Sequence, residues 1–107
     1  MISISEFSKL DIRAGVVKSA ERVPGTSKLV RLEVDLGELG VRQLVAGIAE
    51  EYKPEDIVGK TIIVLANLEP KKIRGVLSQG MLLAAVHDDK PVLLTTDRPV
   101  PPGTKVM

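Results

Sequence analysis

Between Leu29 and Leu36 apolar and charged residues alternate, with Leu32, Val34 and Leu36 on one face and Arg31, Glu33 and Asp35 on the other. A period of two describes a half-buried β-strand with one wet face, and it leaves no place for a helix here. Gly37 to Gly40 then turns the chain, and Val41 to Ala46 returns as a further strand. Upstream, Asp11 to Val17 reads as a first strand with Gly15 inside it, where a strand-interior glycine predicts a bulge or a sharp bend. Pro24-Gly25-Thr26-Ser27 is placed for a type II turn.

The spacing changes after Ala46. Residues 47–59 are polar and proline-interrupted, and Pro54 suits the first turn of a short helix. Thr61 to Asn67, Met81 to Val86 and Val92 to Thr96 are three further apolar, β-branched runs. At the N-terminus, Ser3 and Glu6 have capping-box spacing, which predicts a helix over about Ile4 to Lys9. The tail, Asp97 to Val106, is too rich in proline for a central strand and suits an edge strand or a strapped extension. Three strands, a short helical insert and two or more strands is the chain order of an OB-fold barrel. An SH3-like barrel or a small sandwich has similar strand counts, and the insert favours OB. The expectation is therefore an all-β, five-stranded Greek-key OB barrel with short helices and a C-terminal extension. At 107 residues it forms one domain, with the barrel over about 11–87 and the extension over about 88–107.

Several function classes are excluded or left without support. The chain has no cysteine, so disulfides and thiolate chemistry are absent. Its first residues lack the basic and apolar regions of a signal peptide. Its longest apolar runs, Ile62 to Ala66 and Met81 to Val86, are too short to span a bilayer as a helix. A soluble, cytoplasmic protein without a membrane partner is expected. No nucleophile–base pair, phosphate-cradling glycine loop or paired carboxylates stand out, so neither an enzyme nor a cofactor is expected. The single histidine, His87, adjoins Asp88 and Asp89, but a metal needs convergent ligands and a plain turn is the better reading. Glu50, Glu51, Glu55 and Asp56 form an acidic, solvated patch or a dock for a basic partner.

With 15 basic and 14 acidic side chains, the net charge of +1 makes no whole-chain argument for nucleic acid. Such an argument rests on placement. Asn67 to Met81 carries Lys71, Lys72 and Arg74 within four positions, together with Asn67, Ser78 and two glycines. Cations neutralise phosphates, Asn and Ser bond phosphate or 2′-hydroxyl oxygens, and glycine lets backbone approach closely. A solvated loop between two strands is the competing reading. Phe7 and Tyr52 are the only aromatic residues. Single-strand binders usually stack bases on aromatic rings, so recognition by phosphate, 2′-hydroxyl and shape is favoured instead.

Five blocks carry a resemblance. Asp11-Ile12-Arg13-Ala14-Gly15 is followed by Ser27-Lys28-Leu29 with Val34-Asp35-Leu36-Gly37, then by Arg42 to Ile48, Tyr52-Lys53-Pro54-Glu55, and Asn67 to Leu83. In this order the chain resembles the tRNA-binding domain family. That family includes C-terminal domains of methionyl-tRNA synthetases, stand-alone tRNA-binding proteins and the C-terminal domain of endothelial monocyte-activating polypeptide. The resemblance implies tRNA contacts at Lys28, Asn67, Arg74, Ser78 and Met81, with Arg42 nearby on the same sheet face; charge placement adds Lys71 and Lys72. Met81 is open to a second reading as a core residue. It also implies a homodimer joined through terminal segments, and a free-standing accessory (beta) subunit assisting the catalytic subunit of a methionyl-tRNA synthetase. A secretion-linked chaperone of the same fold, binding unfolded peptides, is the alternative. Two departures stand out. Many members have His-Pro-Asn-Ala-Asp-Lys where this chain has Val23 to Lys28, and Glu69 stands where a basic residue is common.

Overall fold

The computed structural model describes residues 1–107. Strand β1 (Ile12–Arg22) is long enough to serve two neighbours. Its first half pairs antiparallel with β4 (Thr61–Leu65), from Ile12 opposite Leu65 to Val16 opposite Thr61. Its second half pairs with β2 (Val30–Asp35), from Val16 opposite Asp35 to Arg22 opposite Val30. Strand β3 (Val41–Ala46) lies outside β2 and β7 (Met81–Leu82) outside β4, giving the order β3-β2-β1-β4-β7. The two edges meet. The Gln79 N–H donates to the Gln43 carbonyl at 2.7 Å, and the Val45 N–H donates to Ser78 Oγ at 3.0 Å. Those bonds bring the sheet close to closure as a five-stranded OB-type barrel, which leaves little free edge.

The alternation read from Leu29 to Leu36 holds. Val30, Leu32, Val34 and Leu36 have no exposed surface, and they meet Val17, Leu44, Ile62 and Val64 in the interior. Ile57 closes the core from helix α2 (Pro54–Ile57), with Pro54 in its first turn as expected. Gly15 plays a different part from the one expected. The register shift of β1 lies between Val17 and Ser19, while Gly15 sits where an added Cβ would come within 2.6 Å of Val34 Cγ1 and 2.7 Å of Leu36 Cδ2. The glycine is needed for close packing of β1 on β2, and the bend is made further along.

Helix α1 (Ile4–Phe7) forms behind its capping box: the Glu6 N–H donates to Ser3 Oγ at 3.1 Å, and the Ser3 N–H donates to Glu6 Oε1 at 3.2 Å. It ends two residues short of Lys9. Phe7 packs with Leu65, Leu83, Val100 and Val106 over a second, smaller cluster of Ile12, Ala14 and Ile63. The proline-rich tail crosses this cluster and ends in an edge strand, β10 (Lys105–Val106), beside Ile12 and Arg13 of β1.

Three expectations change. Asn67 to Met81 is more than a loop, since β5 (Lys71–Ile73) and β6 (Val76–Ser78) form a hairpin. Its two-residue turn, Arg74 at φ 52° and Gly75 at φ 80°, has the positive dihedrals that match strand twist. Met81 to Val86 is not one strand. After Leu82 the chain leaves the barrel, and β8 (Ala84–His87) pairs instead with β9 (Lys90–Leu93) around a turn at Asp88 and Asp89. The last strand thus begins at Lys90 and stops at Leu93, opposite Ala84, where its partner ends; Leu94 to Thr96 lie outside it.

The tail is also held electrostatically. Arg13 Nε donates to Asp11 Oδ1 at 2.7 Å and Arg13 Nη1 to the Gly103 carbonyl at 3.1 Å, while Lys105 Nζ lies 3.4 Å from the same Asp11 oxygen. The Arg13 hydrogen bond, above all, holds the Asp11 carboxyl below its ordinary pKa, aided by Lys105 and opposed by partial desolvation. A depressed folded-state pKa adds stability above the unfolded value and loses it as pH falls through the folded one. The melting temperature should therefore decline as pH drops from about 5 toward 2. Asp11→Asn should lower it at neutral pH and flatten that decline, as read by circular dichroism.

Candidate nucleic-acid interface

Hairpin β5–β6 occupies the connection between the fourth and fifth barrel strands, and residues 23–29 form the connection between the first and second. In OB barrels these two connections flank the ligand face. Here they meet: Gly25 to Leu29 and the hairpin tip, Ile73 and Arg74, line one cleft of about 500 Å³. Lys28 and Arg74, 46 positions apart in the chain, thereby reach one surface. On the other side of the hairpin base, Arg42 and Asn67 share a second cleft with Glu69, Pro70 and Gln79. Lys71, Ser78 and Met81 line a third with Leu68 and Glu69. The structure thus gathers the expected residues around a single hairpin.

They do not all present themselves alike. Lys71, Lys72 and Arg74 are exposed, and neither they nor Arg42 take part in an ion pair. Some cations elsewhere are matched, Arg13 against Asp11 and Glu38 and Arg31 against Glu21 and Glu33. Lys9, Lys18, Arg22, Lys53, Lys60 and Lys90 are also unpaired; what marks the hairpin is three free cations within four positions. Glu33 is itself held below its ordinary pKa, first by the Ser19 hydroxyl and then by Arg31. The hairpin cations thus have no anionic side chain in contact. Lys28 is 3.9 Å from Glu50, with both side chains largely exposed, an ion pair worth about 0–1 kcal/mol. Arg42 Nη1 donates to the Ala66 carbonyl, which braces the end of β4 and leaves its other donors available. Met81 is 45% exposed, so it belongs to the surface and not to the core.

Two of the expected residues carry structural hydrogen bonds of their own. Ser78 is buried, and its hydroxyl accepts from the Val45 N–H and donates to the Gly80 carbonyl, both at 3.0 Å. Asn67 Oδ1 accepts from the Asp11 N–H at 2.8 Å, and its Nδ2 donates to the Lys9 carbonyl at 2.7 Å, clamping the segment ahead of β1 onto the end of β4. Sequence reasoning missed a third supporting residue, Gln43, whose Nε2 donates to the Leu77 carbonyl at 2.7 Å. The Gln43 N–H also donates to Gln79 Oε1 at 3.2 Å. Gln43 falls on the wet face of β3, and no local spacing ties it to Leu77, 34 positions on. Ser78 and Gln43 together seat the cationic hairpin on the barrel. Ser78→Ala leaves the Val45 N–H buried without a partner, at a cost of about 1–3 kcal/mol. It should lower both the melting temperature and RNA affinity by loosening the hairpin's seat, the hydroxyl being buried and internally bonded; a calorimetric scan and a binding titration read the two.

Residues 12–105 match the family model described as "Putative tRNA binding domain". The chain is 54% identical over 105 residues to a methionine–tRNA ligase of Archaeoglobus fulgidus and 55% identical over 105 residues to that of Thermotoga maritima. In both cases 98% of this chain is covered but only 16% of the ligase. Among solved structures, a MetRS-related protein of Pyrococcus horikoshii superposes with a TM-score of 0.93 at 42% identity, covering 100% of this chain and 98% of that one. Chaperone CsaA of Bacillus anthracis gives 0.92 at 38% identity, covering 100% and 99%. Nearly the whole chain lies within the matched region, and its fold is shared end to end. The chain belongs to the tRNA-binding domain family.

Proposed function

We propose that this chain is a structure-specific tRNA-binding module that captures folded tRNA in the cytoplasm and assists a methionyl-tRNA synthetase as an accessory subunit. The observation that carries it is the set of unpaired cations on the β5–β6 hairpin, beside Lys28 and at the ligand face of an OB barrel. Neither aromatic ring serves that face. Tyr52 packs against the core and accepts from the Leu93 N–H at 3.1 Å, and Phe7 covers the second cluster. Without stacking platforms the surface favours a folded backbone over a single strand. Such a module binds and does not itself catalyse; it raises the local concentration of tRNA for its partner.

Fluorescence titration with folded tRNA, heat-unfolded tRNA and poly-U, each at two salt concentrations, tests this. Folded tRNA should bind best, and salt should weaken it because counterion release drives much of the binding. Equal affinity for poly-U, or none for any RNA, would contradict it.

The CsaA neighbour and the partly apolar groove beside Met81 favour a second reading, a chaperone of unfolded peptides. The hairpin cations favour the first reading, since an apolar peptide has no use for them. A single domain spanning residues 1–107, with its terminal extension forming a homodimer, completes the proposal. Ile2, Ile4, Val86, Val92, Leu94 and Met107 are exposed near the termini and the β8–β9 hairpin, apolar surface that a second copy would cover. Sedimentation at micromolar concentration should give twice the 11.5 kDa chain mass, and a monomer would contradict the dimer.

A further inference from the structure

The groove between hairpin β5–β6 and the end of β3 has features that phosphate binding alone leaves unused. Ile48, Leu68, Ile73, Met81 and Leu82 supply its apolar lining, and its volume is about 450 Å³. That lies within the range of small-ligand clefts, about 300–1,000 Å³. Leu68 and Met81 are each 45% exposed, so sizeable apolar faces stand open beside a cationic hairpin. Two charged residues, Glu69 and Lys71, line the same groove, and neither takes part in an ion pair.

A carboxylate on a face that binds a polyanion repels phosphate. It becomes favourable where the RNA brings it a hydrogen-bond donor, a ribose 2′-hydroxyl or a base edge. Nucleobases carry such donors, and guanine alone offers two side by side on its Watson–Crick edge, N1–H and the N2 amino group, matching the two oxygens of one carboxylate. Adenine and cytosine offer one amino group each, and uracil one ring N–H. The flat faces of a base are apolar, and a thioether such as Met81 adapts to a ring without needing an aromatic partner.

We propose that this groove takes one unstacked guanine of the bound RNA, with its faces against Leu68 and Met81, its Watson–Crick edge on Glu69 and its phosphate on Lys71. The proposal rests on the tRNA-binding reading above and adds to it a base-reading position on a surface otherwise built for shape. An apolar peptide side chain in the same groove would use its walls and leave both charges without partners.

Inosine lacks the N2 amino group of guanine and keeps N1–H, so it removes one of the two donors. The test measures affinities of the full chain and of Glu69→Gln for folded tRNA transcripts in which each unpaired guanine is replaced by inosine in turn. For the parent, inosine at one position should weaken binding about tenfold, the size expected for a broken bidentate base contact. In Glu69→Gln that difference should vanish, and the guanine transcript should bind more weakly than to the parent, although a negative charge has been removed. Glu69 is exposed, so the variant should keep the parent's circular dichroism spectrum and melting temperature. An absence of any inosine effect in the parent would overturn the guanine site while leaving tRNA binding intact. So would an inosine effect that persists in Glu69→Gln, or tighter binding of the guanine transcript by that variant. Failure of the parent to bind folded tRNA at all would overturn both readings together.

Discussion

Replacing Lys71, Lys72 and Arg74 together with glutamate should weaken binding of folded tRNA more than a hundredfold and leave the fold intact. All three side chains are exposed and none takes part in an ion pair, so the barrel gives up no interaction of its own. Exposed ion pairs are worth at most about 1 kcal/mol each. Three cation–phosphate pairs at that value already amount to two orders of magnitude in affinity, and the reversed charges add repulsion. The salt dependence should change as well: the slope of log K against log salt should shrink by roughly 0.9 for every phosphate left without its cation. Circular dichroism and the melting temperature should match the parent within a few degrees. The hairpin turn is not expected to suffer, because glutamate at position 74 meets the same positive φ that arginine already tolerates there.

Gly15→Val should have the largest effect on stability. Valine favours strands and glycine does not, a gain of about 1 kcal/mol on an open strand. At position 15 the sterics decide otherwise. A Cβ alone would stand 2.6 Å from Val34 Cγ1, 2.7 Å from Leu36 Cδ2 and 3.0 Å from the Asp35 carbonyl, and two further methyl groups would follow it. Val34 and Leu36 are fully buried in the main core and have little room to yield. Overpacking of this kind typically costs about 1–3 kcal/mol and occasionally more, and the clash with a backbone oxygen places this site at the upper end. For a domain of this size, a loss of about 3 kcal/mol lowers the melting temperature by on the order of 10–20 °C. Val34→Ala in the same background should recover part of that loss by removing the Cγ1 methyl; a thermal scan of the two variants reads it.

The local patterns were the legible part of the fold. The period of two in Val30–Asp35, the turn at Pro24 and Gly25, the capping box at Ser3 and the proline opening α2 each depend on residues a few positions apart. The β5–β6 hairpin was hidden because its turn opens with arginine, where asparagine or aspartate is the usual signal. The break after Leu82 was hidden for another reason. Nothing in Met81 to His87 says that its partner changes from β4 to β9, since strand exchange is settled by chain segments far apart. The same holds at the site. Three clustered cations are visible in the sequence, but the approach of Lys28 to Arg74 follows from closure of the barrel. The burial of Ser78 likewise depends on Val45, 33 positions earlier. The charged residues were legible, and so were Asn67 and Ser78 as members of the site; that these two brace the segment, and that Gln43 joins them, was not.

If RNA lies along the β5–β6 hairpin and the 23–29 connection, the backbone amides of those segments must report it. Their shifts in the labelled protein, followed while folded tRNA is added, give the direct reading. The largest changes should fall on Lys28, Arg42, Leu68, Lys71 to Gly75 and Met81, and they should fade as salt is raised. Changes confined to Val86, Val92 and Leu94, with the hairpin amides unmoved, would place the RNA elsewhere and contradict the assigned interface.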